Sequence, residues 1–255
     1  MKDLGSRMKE NYELRARHYL TRRTPVIVRV DGRAFHTLTK NYAKPFDQTF
    51  IDAMTRAASD LFVEMQGCKM AYIQSDEASF VLTDYDKHST ESWFDYRQSK
   101  IESLSASLMS AFFNERMYGM GEGILTAAFD SRAFNIPEDE VANYFLWRSQ
   151  DWHRNSVMMY AQAHFSHKQL HGKNIPAIHE MLHGIGKNWT TDLPLQHRNG
   201  TFLRRFSDRC MEGWTVLPTY ASICEAWDSV RPREETEFHQ EWMNEPWHVT
   251  WDKTL

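Results

Sequence analysis

The chain has 255 residues, of which 42% are hydrophobic and 25% are charged, and its formal net charge is −4. This composition excludes a disordered or low-complexity chain, and no run approaches the roughly 18 apolar residues that a membrane helix needs. The negative charge provides no overall basic field, so any nucleic-acid contact must come from local patches. The cysteines, Cys68, Cys210 and Cys224, are odd in number and widely separated, which predicts a reducing, cytoplasmic environment.

The first predicted elements are a strand and a helix. Residues 25–30 form a β-branched run that begins at a proline and ends at Asp31-Gly32, the pattern of a buried strand closed by a tight turn. Asp47 can cap a helix over residues 50–65, where apolar residues recur every three or four positions. Gly67 then ends this helix.

A hairpin and a second helix come next. Residues 69–74 and 79–83 are short strand-like runs, and the Ser-Asp-Glu-Ala segment between them predicts a hairpin with an acidic tip. A long helix is predicted from Trp93 to about Tyr118, and a fourth strand at residues 125–129. Pro137, followed by acidic residues, opens a further helix that is expected to run toward residue 165.

The predicted order of these elements is βαββαβ. An antiparallel sheet with helices packed on one face is the ferredoxin-like or palm arrangement, an α+β fold. We expect this catalytic domain to span residues 1–165. Residues 166–255, with a strand at 201–206 and a tryptophan-rich end, form a C-terminal extension that packs on the palm or on a neighbouring subunit.

Two aspartates are the strongest candidates for chemistry. Asp31 ends the first strand and Asp76 lies at the hairpin tip, so neighbouring strands of a palm sheet would bring their carboxylates together. Two hard oxygen ligands with room for substrate phosphates suit Mg²⁺, and two such ions about 3.5–4 Å apart serve phosphoryl or nucleotidyl transfer. The alternative is that Asp-Gly and Ser-Asp-Glu are only turn formers.

The sequence becomes recognisable at the motifs around these aspartates. V-R-V-D-G-R-A-F-H at 28–36, A-K-P-F-D at 43–47 and Q-S-D-E-A-S-F at 74–80 resemble the tRNA(His) guanylyltransferase family. The resemblance continues through W-R-S-Q-D-W-H-R-N-S at 147–156 and G-K-N at 186–188, and covers roughly residues 20–190 in order.

This resemblance implies a metal site and a nucleotide site. Asp31, Asp76 and the backbone carbonyl of Gly32 would bind two Mg²⁺ ions. The positions that match the family's nucleotide-binding residues are Arg33, Ala34, Phe35, His36, Lys44, Asp47, Ser75 and Lys187. ATP and GTP are the implied substrates, and a homotetramer is the implied assembly.

One departure from the family concerns tRNA. The eukaryotic guanylyltransferases carry H-I-N-N where this chain has His153-Arg154-Asn155-Ser156, which resembles the bacterial and archaeal like-protein branch. That branch adds nucleotides in the 3′-to-5′ direction and repairs 5′-truncated tRNA after adenylylating its 5′ end. His153 and Asn155 are candidates for contacting tRNA or the activated 5′ end, or are ordinary helix residues. Arg198 is one of several cationic side chains that can contact an RNA backbone.

Three rival functions stay open at this point. A nucleotide cyclase or cyclic-dinucleotide synthase uses a similar sheet with paired carboxylates, and a tRNA-binding protein without catalysis is a further class. His179, Glu180 and His183 also match the H-E-x-x-H pattern of zinc peptidases. The alternative for that segment is an amphipathic helix with Ile178 and Leu182 directed inward.

Overall fold

The computed structural model describes residues 2–121, 126–207, 210–214 and 219–232. Its strands are β1 (Val26–Gly32), β2 (Cys68–Gln74), β3 (Glu77–Leu82), β4 (Phe129–Asn135), β5 (Thr201–Ser207) and β6 (Cys210–Trp214). Its helices are α1 (Leu4–Met8), α2 (Phe35–Leu38), α3 (Gln48–Glu64), α4 (Gln98–Gly119), α5 (Val141–Gln162), α6 (His167–Leu170), α7 (Ile175–Gly184), α8 (Trp189–Asp192), α9 (Leu195–Asn199) and α10 (Tyr220–Val230).

The strands form one antiparallel sheet in the order β4, β1, β3, β2, β5, β6. Side chains alternate across β1, as the period of a strand requires. Val26, Val28 and Val30 share a core with α3 and α4, whereas Ile27 shares a second core with α5 and α10. Both faces of the sheet are therefore covered, which explains why β1 is an almost continuous apolar run.

The predicted α+β, palm-like fold is confirmed by this arrangement. Helices α3 and α4 cover one face, as the βαββαβ order implies. Helices α5 and α10 form a layer on the opposite face that this order does not contain, and β5 and β6 extend the sheet beyond β2. The described part of residues 166–255 thus packs on the palm, and the domain boundary at residue 165 stays a prediction. Residues 233–255, with three tryptophans, lie outside the described residues.

The fourth strand was predicted at the wrong place. It begins at Phe129, opposite Gly32 of β1, and ends at Asn135, opposite Val26. Residues 126–128 of the predicted strand are not in a strand, and residue 125 lies outside the described residues. Asp130 and Arg132 are exposed, because at this edge strand one face of the sheet is open to water. Phe129 and Ala133 are buried on the other face. The polar alternation of β4 made it less visible in the sequence than the apolar run before it.

A third core holds the chain after α5. The C-terminal half of α5 packs against α7 and α8 through Val157, Ile178, Leu182 and Trp189, all buried. Ile178 and Leu182 thus form the inward face of α7, as predicted. No helix in the described ranges is long and apolar enough to cross a membrane.

Candidate active site

The sheet register brings the two aspartates together. Asp31 lies near the end of β1, opposite Glu77 of β3 and Asp130 of β4. Asp76 occupies the turn between β2 and β3, and its carbonyl oxygen accepts a 2.9 Å hydrogen bond from the backbone N–H of Gly32. The end of the first strand is therefore tied directly to the hairpin tip.

Burial raises the pKa of both carboxyl groups, and the negative charges of neighbouring carboxylates add to the shift. For Asp31, burial is the largest cause, followed by the negative charges of Asp76 and Glu77. For Asp76, burial raises the pKa and a hydrogen bond from Ser75 opposes the shift. Neither carboxylate forms an ion pair with a basic side chain of the described ranges. A bound cation would relieve this repulsion.

The donor set suits Mg²⁺ rather than a metal caged by protein. Within the described residues, no three or more His, Cys, Asp or Glu side chains form a group that could hold a metal ion by themselves. Two carboxylates with open positions are what Mg²⁺ uses when substrate phosphates complete its coordination. Asp31 and Asp76 therefore fit an ion that is shared with a nucleotide.

The loop after β1 is strained and firmly anchored. Ala34 in this loop has φ 57°, and Ser75 in the turn between β2 and β3 has φ 46°. This left-handed conformation is uncommon for residues other than glycine and is often found at functional sites. Phe35 anchors the loop, since its ring lies 4.9 Å from the Phe129 ring between centroids. A Cβ on Gly32 would come within 2.4 Å of the Phe35 ring, so only glycine permits this approach.

A cavity of about 680 Å³ opens beside this loop. It is within the range of small-molecule sites. The predicted nucleotide-site residues that line it are Ala34, Phe35, His36, Lys44, Asp47 and Ser75, together with Gly32 and Asp76. Aromatic walls come from Phe46 and Trp152, whose ring centroids are 6.1 Å apart.

A smaller cavity of about 330 Å³ adjoins the first. Asp31 and Asn155 line it, and both cavities share Ser75, Asp76 and Trp152. Asp76 therefore lies where the two cavities meet, with Asp31 on the side of the smaller one. This arrangement offers places for two reactants on either side of the carboxylate pair.

Asp47 also has a structural task. Its carboxylate caps α3 by accepting hydrogen bonds from the backbone N–H of Phe50 at 2.9 Å and of Ala43 at 3.0 Å. Lys44 lies nearby, and its Nζ donates to the carbonyl of Thr39 at 3.1 Å. These bonds fix the floor of the larger cavity whether or not a nucleotide is present.

Three predicted residues are not among those that line the two cavities. Arg33 and Lys187 are exposed. Arg33 donates its backbone N–H to Ala128, and Lys187 follows the end of α7. His153 lies on α5 but lines a separate cavity on the other side of that helix, and burial lowers the pKa of its imidazole.

A buried ion pair under the hairpin was missed by the sequence reasoning. Glu77 is 8% exposed, and its two carboxylate oxygens accept from Nε of Arg148 at 2.7 Å and from Nη2 at 2.9 Å. Nη2 also donates to Asp151 at 3.0 Å. The sequence did contain a signal for this ion pair, since Arg148 lies between Phe145 and Trp152 on the inward face of a predicted helix. A cation in that position needs a buried acidic partner. The pair fixes the residue next to Asp76.

The zinc-peptidase pattern has no metal-site geometry around it. The rings of His179 and His183 are 6.4 Å apart, and His179 packs edge-on against Trp189 at 6.0 Å. In the part of the chain that the structure describes, no third His, Cys, Asp or Glu completes a metal-binding group with them. This geometry agrees with the amphipathic-helix interpretation.

Two carboxylates at one end of the strands of an antiparallel palm sheet, beside a nucleotide-sized cavity, define the class of nucleotidyl- and phosphoryl-transfer enzymes. Comparison with known proteins identifies the family. The family model described as tRNAHis guanylyltransferase matches residues 5–137. The probable tRNA(His) guanylyltransferase of Dictyostelium discoideum is 38% identical over 138 residues, which are 52% of this chain and 52% of that protein.

Solved structures agree with this assignment. A bacterial tRNA(His) guanylyltransferase (Thg1)-like protein in complex with ATP has a TM-score of 0.83 and 42% identity, covering 89% of this chain and 99% of that chain. One in complex with GTP has a TM-score of 0.74 and 38% identity at the same coverage. The chain belongs to the tRNA(His) guanylyltransferase family, whose members are nucleotidyltransferases. The predicted resemblance is therefore confirmed.

Proposed function

We propose that this protein adds a nucleotide to the 5′ end of tRNA in the 3′-to-5′ direction, using Mg²⁺ held by Asp31, Asp76 and the Gly32 carbonyl. The observation that carries the proposal is the carboxylate pair at the junction of two adjoining cavities. The ATP and GTP complexes of similar proteins support nucleotides as the substrates. Repair of 5′-truncated tRNA and G addition to tRNA(His) are both within this activity.

The reaction would take place in two steps. The 5′-phosphate oxygen of tRNA forms a bond to the α-phosphorus of ATP, and pyrophosphate leaves. The 3′-hydroxyl oxygen of an incoming GTP then forms a bond to the activated 5′-phosphorus while the bond to AMP breaks, and the hydroxyl proton passes to solvent. Mg²⁺, when bound, lowers the pKa of the attacking hydroxyl and neutralises charge on the leaving group.

The chain's own residues would position these reactants. The larger cavity would hold the nucleoside triphosphate, with Phe46 and Trp152 as apolar walls and the strained backbone at Ala34 presenting amides to phosphates. The smaller cavity, beside Asn155 and Asp31, would receive the 5′ end of the RNA. Asp76 then separates the two reactants and contacts both sites.

The first step can be tested separately from the second. Wild-type protein is incubated with Mg²⁺, α-labelled ATP and a 5′-monophosphorylated tRNA that lacks its first nucleotide. We expect labelled AMP to accumulate on the RNA, and to be released with gain of one nucleotide when GTP is added. A full-length tRNA(His) substrate distinguishes repair from tRNA(His) maturation.

Two outcomes would contradict the proposal. Cyclic products formed from ATP or GTP without RNA would make the protein a cyclase or cyclic-dinucleotide synthase. Binding of tRNA with no label transferred, by folded protein that binds Mg²⁺, would leave a binding protein without catalysis.

The assembly is a further part of the proposal. We infer a homotetramer, in the cytoplasm, because the family resemblance implies that assembly and because a chain of net charge −4 that holds a large polyanion gains from pooling local basic patches across subunits. Light scattering of the purified protein should give four times the chain mass, and a clean monomer at working concentration would contradict the inference.

A further inference from the structure

Helix α5 separates the two active-site cavities from a third cavity, here called the outer cavity, of about 560 Å³. Its lining includes Trp147, Gln150, His153, Arg154 and Arg198. Among the described residues, this lining contains two guanidinium groups and an aromatic ring, and no carboxylate. Guanidinium groups bind anions and an aromatic ring stacks on planar groups, so this lining suits a ligand in which an anion is attached to a planar group.

Trp147 is an exposed but well-held aromatic side chain. It is 51% exposed, although the guanidinium carbon of Arg148 lies 4.5 Å from its ring centroid and the Tyr144 ring packs edge-on at 5.8 Å. Arg148 is itself fixed by Glu77. A large, immobilised ring that stays half open to water suits the stacking of an unpaired base.

The opposite wall of the outer cavity is equally fixed. Arg198 lies over the Trp189 ring at 5.5 Å, and the His153 ring is 4.7 Å from the same ring. Trp189 is buried and donates from Nε1 to the hydroxyl of Ser156 at 3.0 Å. This wall therefore holds its cation in place rather than leaving it to move in solvent.

The cations in this cavity keep hydrogen-bond donors for a ligand. Arg198 uses Nε for the carbonyl of Leu193 at 3.1 Å, and a guanidinium carries five N–H donors in all. Arg154 donates from Nη2 to Asp151 at 2.7 Å, and its side chain is 63% exposed. Arg198 is thus the stronger phosphate ligand, with Arg154 second.

The outer cavity is within reach of unpaired nucleotides on the strand opposite an RNA 5′ end that is held at the carboxylates. Asp151 and Asn155 line the smaller active-site cavity, whereas Gln150 and Arg154, their neighbours on α5, line the outer one. The two sites are therefore about one helix diameter apart, on the order of 10 Å. Three nucleotides of a stacked strand, at about 3.4 Å each, cover that distance.

We propose that the outer cavity binds an unpaired nucleotide of the 3′ strand at the tRNA acceptor end, with its base stacked on Trp147 and its phosphate against Arg198. This inference rests on the proposed function, because it takes tRNA as the substrate. The cationic lining favours a polyanion over a protein partner. The site would orient the acceptor end so that the 5′ strand enters the smaller active-site cavity.

The test compares two RNAs and a set of exposed variants. Binding of fluorescent tRNA is measured with the unpaired 3′ nucleotides present and with them trimmed back to the paired stem. Removing the aromatic side chain on which one base stacks weakens binding by about 5- to 150-fold. Trp147→Ala should therefore raise the Kd for the intact tRNA by that factor and leave the Kd for the trimmed tRNA unchanged. Trp147→Phe should retain most of the affinity.

Two further variants complete the design. Arg198→Gln should make the plot of log binding constant against log salt concentration less steep by about 0.7 for the intact tRNA, as expected for one lost contact to a single-stranded phosphate. Tyr118→Ala removes an aromatic side chain that is 64% exposed on α4, and should bind both RNAs as the wild type does. It controls for the general loss of an exposed ring.

Three results would overturn the inference. The first is unchanged binding of intact tRNA by Trp147→Ala. The second is an equal loss of affinity for intact and trimmed tRNA in Trp147→Ala. The third is a change in the molecular mass of Trp147→Ala by light scattering, which would mean that Trp147 lies in an interface between copies of the chain. Failure of the proposed function is a separate result, since it appears as no nucleotide transfer by the wild type at saturating tRNA, whatever the binding assay gives.

Discussion

Replacing Arg148 by methionine removes the cation that neutralises buried Glu77 while keeping much of the side-chain volume. Breaking a buried ion pair by removing one partner costs about 3–5 kcal/mol, because the remaining charge is left uncompensated. Arg29 remains with its Nε 4.0 Å from Glu77 Oε2, so we expect the lower end of that range. A loss of about 3 kcal/mol lowers Tm by about 6–12 °C for a chain of this size.

The assay is thermal unfolding followed by circular dichroism and by tryptophan fluorescence, since coincident transitions justify a two-state treatment. The matched control is Arg154→Met, which removes a guanidinium from the same helix and from the same partner, Asp151, but at a side chain that is 63% exposed. Exposed pairs contribute about 0–1 kcal/mol, so this control should change Tm by only a few degrees.

A double-mutant cycle isolates the pair itself. Glu77→Gln combined with Arg148→Met should lose at least about 1.5 kcal/mol less than the sum of the two single losses, because the buried charge is gone. Equal losses for Arg148→Met and Arg154→Met, or strict additivity in the cycle, would refute the reasoning that Glu77 depends on Arg148 for its charge balance.

Three other substitutions give definite expectations. Gly32→Ala places a Cβ against the ring of Phe35, so it should cost about 1–3 kcal/mol and abolish nucleotide transfer. Gly184→Ala in α7 meets no atom of the described residues within 4 Å and should not destabilise the protein, since alanine is favoured over glycine in a helix; urea unfolding compares the two. Asp47→Ala should destabilise the protein by about 1–2 kcal/mol through loss of the helix cap, whereas Asp47→Asn should destabilise it by much less because asparagine also caps helices. A role of the Asp47 carboxylate in nucleotide binding would therefore appear as a raised KM in the asparagine variant. Burial raises the pKa of the Asp31 and Asp76 carboxyl groups, so each pKa is higher in the folded protein than in the unfolded chain. Protonation of these groups at low pH therefore favours the folded protein. This contribution to stability is lost as the pH rises through the folded-state pKa. Asp76→Asn should therefore raise the Tm of metal-free protein at pH 7 and bring no gain near pH 3, while Mg²⁺ should stabilise the wild type only. An unchanged Tm of the variant at pH 7 in EDTA would contradict the raised pKa of Asp76.

Local signals explain why the core of the site was predictable. The strand before Asp31, the hairpin around Asp76 and the helix capped by Asp47 each carry their signal within a few consecutive residues, and the structure has all three. The pairing of β1 with β3 then follows from packing two buried strands in one sheet. The local sequence pattern therefore predicted that the two carboxylates lie close together. The family resemblance predicted what they do.

Non-local contacts explain what could not be predicted. Glu77 and Arg148 are 71 positions apart, and no period or spacing in the sequence indicates that they meet. The two cavities on either side of α5 likewise depend on how that helix lies on the sheet. The position of β4 was missed for a different reason, because an edge strand with exposed Asp130 and Arg132 resembles a loop in composition.

The location of the added nucleotide is the measurement that tests the two-carboxylate, 5′-end activity most directly. Labelled GTP is supplied with Mg²⁺ and ATP to a 5′-monophosphorylated tRNA that lacks its first nucleotide and whose 3′ end has been blocked by periodate oxidation. We predict that the wild type places the label at the 5′ end, and that Asp31→Asn and Asp76→Asn bind the tRNA but transfer no label. Label that disappears when the 3′ end is blocked, or full transfer by either variant, would contradict the account.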